Sequence, residues 1–167
     1  MSQKVRIAFV VSVIAAIAVS LGIQGWRQSQ VVVSNESPVE GRIHIYYHGS
    51  FVANLNPADL PDLEPGSFKD LEENKTQEGP WLKDIVTLYI DRTIKDSELV
   101  TVRGLRSTTA EEKEIILTWA QVADGNNYVI CDVAGSGDSI KLVSTLPELD
   151  TRDEFVQGII RIDIDEP

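Results

Sequence analysis

Cysteine is almost absent from this chain, which has a single one, Cys131, among 167 residues. No disulfide bond within the chain can therefore form. Cys131 lies in the segment YVICDVA, residues 128–134, where a nearly continuous apolar run predicts a strand that is buried on both faces. A thiol in such a strand is best interpreted as a small apolar core residue and not as a reactive or metal-binding group.

Basic residues are also scarce, with 15 Lys and Arg against 26 Asp and Glu, a net charge of −11. Lys4, Arg6 and Arg27 lie in the first thirty residues, which hold no acidic residue, so residues 31–167 carry 12 basic and 26 acidic side chains and a net charge of −14. This charge excludes nucleic-acid binding through the phosphates and predicts repulsion from anionic lipid head groups. It can steer a basic partner towards the protein, or it can simply maintain solubility.

Charged residues are missing from one stretch near the amino terminus, the 17 residues from Ile7 to Ile23. As a helix with a rise of about 1.5 Å per residue, this run is just long enough to cross a hydrocarbon core of about 30 Å. With its flanking residues it predicts a transmembrane helix over residues 7–26. Trp26 and Arg27 follow where an aromatic ring and a basic side chain are typical of the membrane interface, and both are candidates for contact with a membrane partner.

More positive charge precedes this predicted span than follows it closely, and this asymmetry sets the expected orientation. Residues 1–6 are expected in the cytoplasm, and residues 27–40 form a stalk or linker to a domain over residues 41–167 in the periplasm or outside the cell. The chain would then pass once through the inner or plasma membrane. The alternative is a secreted binding domain with a cleaved signal peptide, because Ala16-Ile17-Ala18 fits the small-x-small rule of cleavage sites.

The remaining chain alternates short apolar segments with turn signals. This pattern predicts a single α+β domain with a mixed β-sheet and few, short helices. The predicted strands are the segments GRIHIYYHGS, ELVTVRGL, the start of EIILTWAQVAD, YVICDVA, IKLVS and FVQGIIRIDID.

The helices are expected at a few places between these strands. Thr118 is predicted to cap a short helix that ends at Ala123, and the first residue of 67–74 is predicted to cap another. Residues 52–66 hold three prolines, which predicts a loop with one helical turn after the first of them. Residues 81–91 fit a helix and a strand equally well.

The order of several short motifs is typical of one family. EGPW-LKDIV is followed by LVTVRGL, by LTWAQV and by KLVSTLPELDTRDEFVQGIIRIDI. This order resembles the molybdopterin-binding domain of sulfite oxidase and of its bacterial periplasmic relatives, and the resemblance covers roughly residues 41–165. The positions that carry it are Trp81, Gly104, Leu117, Thr118, Val122, Lys141, Leu142, Val143, Phe155, Val156, Ile159 and Ile162.

The resemblance implies an oxidoreductase domain in which one Cys thiolate, shortly before the segment with Trp81, binds molybdenum and several Arg, Lys and His side chains hold the pterin phosphate. This sequence departs from that pattern, because the corresponding region, LEENKTQEGPW, has no cysteine and the domain is strongly acidic. We therefore expect a degenerate copy that keeps the fold and binds no cofactor. The alternative is a molybdopterin-type oxidoreductase without the thiolate, or an electron-transfer accessory subunit of one.

Patterns typical of catalysis are few. His44 and His48 are four residues apart, but on a strand they would lie about 13 Å from each other, too far to share a metal ion. The tripeptide His48-Gly49-Ser50 places a histidine base close to a serine hydroxyl. It lacks the Gly-x-Ser-x-Gly elbow that is typical of hydrolases. Gly135-Ser136-Gly137 lacks the third glycine of a phosphate-binding loop and is interpreted as a hairpin turn. We expect no catalytic, cofactor-binding or metal-binding residues.

An acidic cluster and a tryptophan remain as candidates for binding a partner. Asp59, Asp62 and Glu64 lie in the proline-rich loop, and further acidic residues follow up to Glu73. The cluster lacks the alternating spacing and central glycine of a calcium loop, so a solvated charged surface is the simpler interpretation, although long ordered loops often bind partners. Trp81 is either an anchor for a partner or a core residue.

The sequence as a whole predicts a membrane-anchored, non-catalytic extracytoplasmic domain. Its expected role is that of a structural or binding accessory subunit of a membrane protein complex, such as a photosynthetic or respiratory complex. Its expected contacts are the other subunits, through the transmembrane helix and the acidic domain, and the lipid bilayer.

Overall fold

The structure is a computed structural model that describes residues 37–72, 74–106, 109–133 and 140–167. Several predicted segments lie outside these ranges. They are the cytoplasmic residues 1–6, the transmembrane helix 7–26 with Trp26, the neighbouring Arg27, the part of the predicted stalk up to residue 36, and the predicted hairpin turn at Gly135-Ser136-Gly137. None of the helices in the described ranges has the length and apolar character that a membrane crossing requires.

Short strands dominate the described ranges. In chain order they are β1 (Ile43–Tyr47), β2 (Ser50–Leu55), β3 (Pro65–Asp70), β4 (Lys75–Pro80), β5 (Leu99–Arg106), β6 (Glu112–Thr118), β7 (Ile130–Val133), β8 (Ile140–Val143) and β9 (Val156–Asp165). The helices are α1 (Leu82–Tyr89) and α2 (Trp119–Ala123), together with a first 3-10 helix at Pro57–Asp62 and a second at Gly125–Asn127.

Strand β9 lies at the centre of the main sheet. The strand order is β2-β1-β9-β5-β6, while β8 pairs both with β7 and with the start of β9. Strand β1 runs parallel to β9, and the other neighbours in this sheet are antiparallel. Strands β3 and β4 form a separate hairpin. The predicted α+β class with a mixed β-sheet and few helices is therefore confirmed.

One face of the main sheet carries the hydrophobic core. The residues that point into it recur at every second position, as the period of a strand requires, and they include Ile43, Ile45, Val100, Val102, Ile162 and Ile164. Both α-helices bury their apolar sides in the same core. The opposite face of the sheet is largely exposed, with Arg103, Glu114 and Ile116 in contact with solvent.

The step from β6 into α2 follows the sequence prediction. The Thr118 hydroxyl accepts a hydrogen bond from the Gln121 N–H at 3.2 Å, and the Gln121 side chain accepts one from the Thr118 N–H at 2.8 Å. This reciprocal pair is a capping box. Trp119 and Val122 then bury one side of the helix, so the predicted helix from Thr118 to Ala123 is confirmed.

In the first half of the chain, by contrast, two predictions of secondary structure are wrong. The predicted helix over residues 67–74 is instead the hairpin of β3 and β4, in which Asp70 lies opposite Lys75. The predicted loop over residues 52–66 begins as strand β2 and ends as strand β3, with the expected helical turn between them. Each segment pairs with its neighbour along the chain, β2 with β1 and β3 with β4, and weak local helix or turn signals do not reveal such pairing. The ambiguous segment 81–91 forms helix α1.

Gly79 of β4 lies where the hairpin meets the main sheet. Gly79 is buried, and a Cβ atom there would fall well inside contact distance of the Cys131 carbonyl group. We expect Gly79→Ala to lower the free energy of unfolding by about 1–3 kcal/mol through overpacking, measured by urea denaturation. Gly125→Ala is the matched control, because the nearest atom there is the Lys83 Nζ at 3.9 Å. An equal loss in both variants would contradict the close approach of β4 to β7.

Candidate functional site

The predicted acidic residues lie on and just after the first 3-10 helix. Asn56 caps the start of this helix through its side-chain oxygen, and Leu60, 1% exposed, anchors it in the core. Asp59, Asp62 and Glu64 are exposed. Because Leu60 holds one side of the short helix against the core, the carboxylates remain in solvent, where they are available to a partner.

Helix α1 brings a further carboxylate to this region. Leu82 and Ile85 bury one side of the helix, and Asp84 in the first turn remains half-buried on the other side. Burial raises the pKa of Asp84, the nearby Lys83 lowers it, and the negative charge of Glu64 raises it further. The net effect is a raised pKa, so Glu64 lies close enough to Asp84 for their repulsion to be felt.

At the other end of α1, a second acidic residue of the loop acts electrostatically on Tyr89. Burial raises the pKa of Tyr89, and the negative charge of Asp59 adds to this effect. Asp59 therefore lies near the end of α1, as Glu64 lies near its start. We call the set of Asp59, Glu64 and Asp84 the acidic face. The structure thus places two of the sequence-predicted acidic residues beside α1, one near each end, and adds Asp84, which sequence analysis missed.

Trp81 directly precedes α1 and is half-buried. Its ring stacks on Tyr128 with the ring centroids 5.6 Å apart, and the Lys83 Nζ lies 4.8 Å from its centroid. Gly66 of β3 packs directly against another part of the ring, because a Cβ atom added at this residue would lie only 2.6 Å from the ring. Phe68 packs in the same small cluster. Trp81 therefore attaches the β3–β4 hairpin to the rest of the domain, which is a packing role.

A second polar cluster, which sequence analysis missed, surrounds Glu98. This residue is only 2% exposed. Its carboxylate accepts hydrogen bonds from the Lys95 backbone N–H and, at 3.2 Å, from the Tyr47 hydroxyl, and it lies 2.7 Å from the His48 Nε2. Burial tends to raise the pKa of Glu98, but these hydrogen bonds outweigh burial and lower it. The cluster therefore stabilises an ionised carboxylate.

The two histidines have separate surroundings. His48 lies at the corner of the β1–β2 hairpin with a φ of 49°, so its predicted place within a strand is wrong. His44 contacts the Val39 carbonyl oxygen through Nε2 at 2.9 Å. Within the described ranges, no hydrogen bond joins Ser50 to His48, and no group of three His, Cys, Asp or Glu residues is placed to hold a metal ion.

A third polar cluster lies on the exposed face of the main sheet. Asp163 is 3% exposed, and the Arg161 Nε donates hydrogen bonds to both of its carboxylate oxygens, at 2.9 and 2.7 Å. The Arg161 guanidinium carbon lies 3.8 Å from the centroid of the Tyr46 ring. The planar guanidinium is therefore held between a carboxylate and an aromatic face, which is a favourable environment for arginine.

Cys131 does not fit the cofactor that the family resemblance implies. The thiol is 1% exposed, and burial raises its pKa to about 12. Molybdenum binds the thiolate form, which must point into an accessible pocket. The single cysteine of the chain is a protonated core thiol, so it does not fit the role of a molybdenum ligand.

Comparison with known sequences assigns no family, since no family model matches the chain and no curated protein matches it significantly. The resemblance to the molybdopterin-binding domain therefore stays a prediction.

The reactivity of Cys131 tests the packing around β7. We expect iodoacetamide to alkylate this thiol in urea but not in the folded protein at neutral pH, because a buried thiol with a raised pKa presents almost no thiolate to the reagent. Mass spectrometry of the intact chain measures the modification, and Cys131→Ser shows that the signal is specific. Rapid alkylation of the folded protein would contradict the buried position.

The Glu98 cluster predicts a pH-dependent difference in stability. Because the folded-state pKa of Glu98 is lowered, its ionised form contributes stability above the ordinary glutamate pKa of about 4.3, and this contribution is lost as the pH falls through the lowered value. Glu98→Gln should therefore be about 1–3 kcal/mol less stable than wild type at pH 7, and the difference should shrink in acid. Urea denaturation across pH measures it.

The exposed Glu148 supplies the control for this experiment. Glu148→Gln removes the same charge from the surface, so it should change the free energy of unfolding by less than about 0.5 kcal/mol at either pH. The prediction is contradicted if the difference in free energy of unfolding between wild type and Glu98→Gln stays constant down to the lowest pH. The Glu98 carboxylate would then not stabilise the fold through its charge.

Proposed function

We propose that this chain is a non-catalytic accessory subunit of a membrane protein complex, such as a photosynthetic or respiratory complex, and that its α+β domain binds a basic surface of another subunit. The observation that carries the proposal is the acidic face. Asp59 and Glu64 are exposed beside α1, and their negative charges add to the raised pKa of Tyr89 and of Asp84, which burial raises most.

Like charges held together oppose folding, and surfaces that keep such repulsion are typical of binding sites, where function and stability compete. The nearby cation, Lys83, lies over the Trp81 ring and lowers the pKa of Asp84 more than Glu64 raises it, while burial keeps that pKa raised overall. Lys or Arg side chains of a partner would add attraction to all three carboxylates. The net charge of −14 over residues 31–167 would also speed the encounter with a cationic surface.

The location follows from the sequence of the amino-terminal region. A transmembrane helix over residues 7–26 would hold the domain in the periplasm or outside the cell, close to the other subunits. Because anionic head groups repel the acidic domain, its acidic face would be directed towards protein and not towards lipid. Mass spectrometry of the mature amino terminus distinguishes this arrangement from a secreted domain, since a start beyond residue 18 rules out the anchor.

The rival function is a molybdopterin-type oxidoreductase or an electron-transfer accessory subunit of one. The buried, protonated Cys131 argues against molybdenum ligation. Elemental analysis of the protein purified from its native membranes separates the two functions. Stoichiometric molybdenum in that preparation would end the binding proposal in its non-catalytic form.

Neutralising the acidic face tests the proposal directly. We expect Asp59→Asn, Glu64→Gln and Asp84→Asn together to weaken the binding of a lysine-rich peptide by about tenfold or more at low salt, measured by calorimetry on the full chain. The same variant should be slightly more stable than wild type, because like-charge repulsion is removed. Subunits that co-purify with the wild-type chain in a mild detergent should be lost from the variant.

The matched control removes three charges elsewhere. The control residues are exposed and outside the acidic face: Asp96, Glu112 and Glu148. The control variant, Asp96→Asn with Glu112→Gln and Glu148→Gln, therefore removes the same number of negative charges as the test variant. We expect this control to keep most of the peptide affinity and all of the co-purifying subunits. If both triple variants lose binding to the same extent, only the net charge matters. If the wild-type chain runs alone as a monomer in every mild detergent, the role as a subunit is wrong.

A further inference from the structure

A cleft of about 450 Å³ lies at the start of β1, beside the first half of β9. Its apolar wall includes Ile140 and Ile159, which are buried, and Ile160, which is 57% exposed. Its polar rim includes Arg42 and Arg161. A concave apolar surface with a few polar groups at one side is the usual form of a small-molecule site.

Arg42 is the unusual group on this rim. It is half-buried, yet its guanidinium makes no hydrogen bond or ion pair within the described part of the chain. Lys69 and Lys95, whose side chains also make none there, are exposed to water. A partly buried guanidinium keeps five N–H donors that need acceptors. In a chain with 26 acidic residues, an arginine without a carboxylate partner in the described part is available to a ligand.

Arg161 supplies a second, already oriented cation. Asp163 binds its Nε and Nη2 atoms, and the Tyr46 ring covers the guanidinium plane. The Nη1 atom takes no part in this pair. Since Asp163 and Tyr46 fix the side chain before any ligand arrives, little rotamer freedom is lost when Arg161 binds one. Arg42 and Arg161 line the same cleft, so both can face one bound anion.

We propose that this cleft binds an organic monocarboxylate with an apolar body. The carboxylate would accept charge-assisted hydrogen bonds from Arg42, and the Nη1 atom of Arg161, which Asp163 leaves unbonded, would donate another. The apolar body would lie against Ile159 and Ile160, which buries the most exposed apolar side chain of the cleft. This site goes beyond the proposed partner binding, because none of its residues belongs to the acidic face.

The rim also indicates which anions are excluded. Glu40 lines the same cleft, and its negative charge repels an incoming anion. A dianion such as phosphate suffers about twice the repulsion of a monoanion from Glu40 and from the acidic domain, and it gains nothing from the apolar wall. A simple monoanion such as acetate carries little apolar surface to bury. The cleft therefore selects for one negative charge joined to an apolar group.

The proposal is tested by measuring the binding of phenylacetate to the full chain in phosphatidylcholine nanodiscs. Empty nanodiscs serve as the blank. We expect calorimetry or equilibrium dialysis to detect phenylacetate, and to detect acetate, benzyl alcohol and inorganic phosphate at least tenfold more weakly. Arg42→Gln should weaken phenylacetate at least tenfold, and Ile160→Ser should weaken it several-fold. Glu40→Gln should strengthen it, which loss of folding cannot produce.

Arg92→Gln is the matched control, because Arg92 lies near Tyr47, at the opposite end of β1 from Arg42. This variant should leave phenylacetate affinity within about twofold of wild type. The proposal is overturned if phenylacetate fails to bind, if Arg92→Gln weakens it as much as Arg42→Gln does, if Glu40→Gln leaves it unchanged, or if phosphate binds more tightly than phenylacetate. These outcomes leave the acidic-face experiment unaffected, so the two proposals fail independently.

Discussion

The hydrogen bonding of β9 is the constraint on which the described domain depends. This strand pairs with β1 on one side, with β5 on the other and with β8 near its start. Its register against β5 shifts between Arg103 and Leu105, and Gly158 has a φ of 52° in the shifted stretch, a backbone conformation that favours glycine. This irregularity turns Ile159 towards the core and leaves Ile160 exposed, so the central strand shapes both the core and the wall of the cleft.

The acidic residues of the domain fall into two groups with different physical roles. Asp70, Glu98 and Asp163 are buried, and each accepts hydrogen bonds from nearby donors, because an uncompensated buried carboxylate would cost several kcal/mol. The residues of the acidic face are exposed or half-buried, and burial together with Glu64 raises the pKa of Asp84. Charges of the first group stabilise the fold, whereas in the proposed function those of the second group are available to a cationic partner.

Sequence reasoning succeeded where the determining interactions are local. The capping box at Thr118 and Gln121 lies within four residues, and alternation of apolar side chains identified β5 and β9. It failed for β3, although its partner β4 follows directly in the chain, because the residues of this hairpin also give a weak helix signal. Arg161 and Asp163 share one strand face two residues apart, so that pair was accessible to pattern reading. Glu98 and His48 are separated by 50 residues, and no local signal joins them.

The packing of the β3–β4 hairpin argues against a molybdenum site in this domain. In the resembled family the metal-binding cysteine precedes the segment that begins here at Trp81, a region occupied in this chain by β4. Gln77 in that strand is fully buried, donates to Asp70 at 2.9 Å and accepts from the Lys141 Nζ at 3.1 Å. At the next inward position, Gly79, the β7 backbone leaves no room for a Cβ atom. A thiol introduced at either position would meet a hydrogen-bonded network or a neighbouring backbone, so recovery of a metal site would require rebuilding the hairpin as well as adding the cysteine.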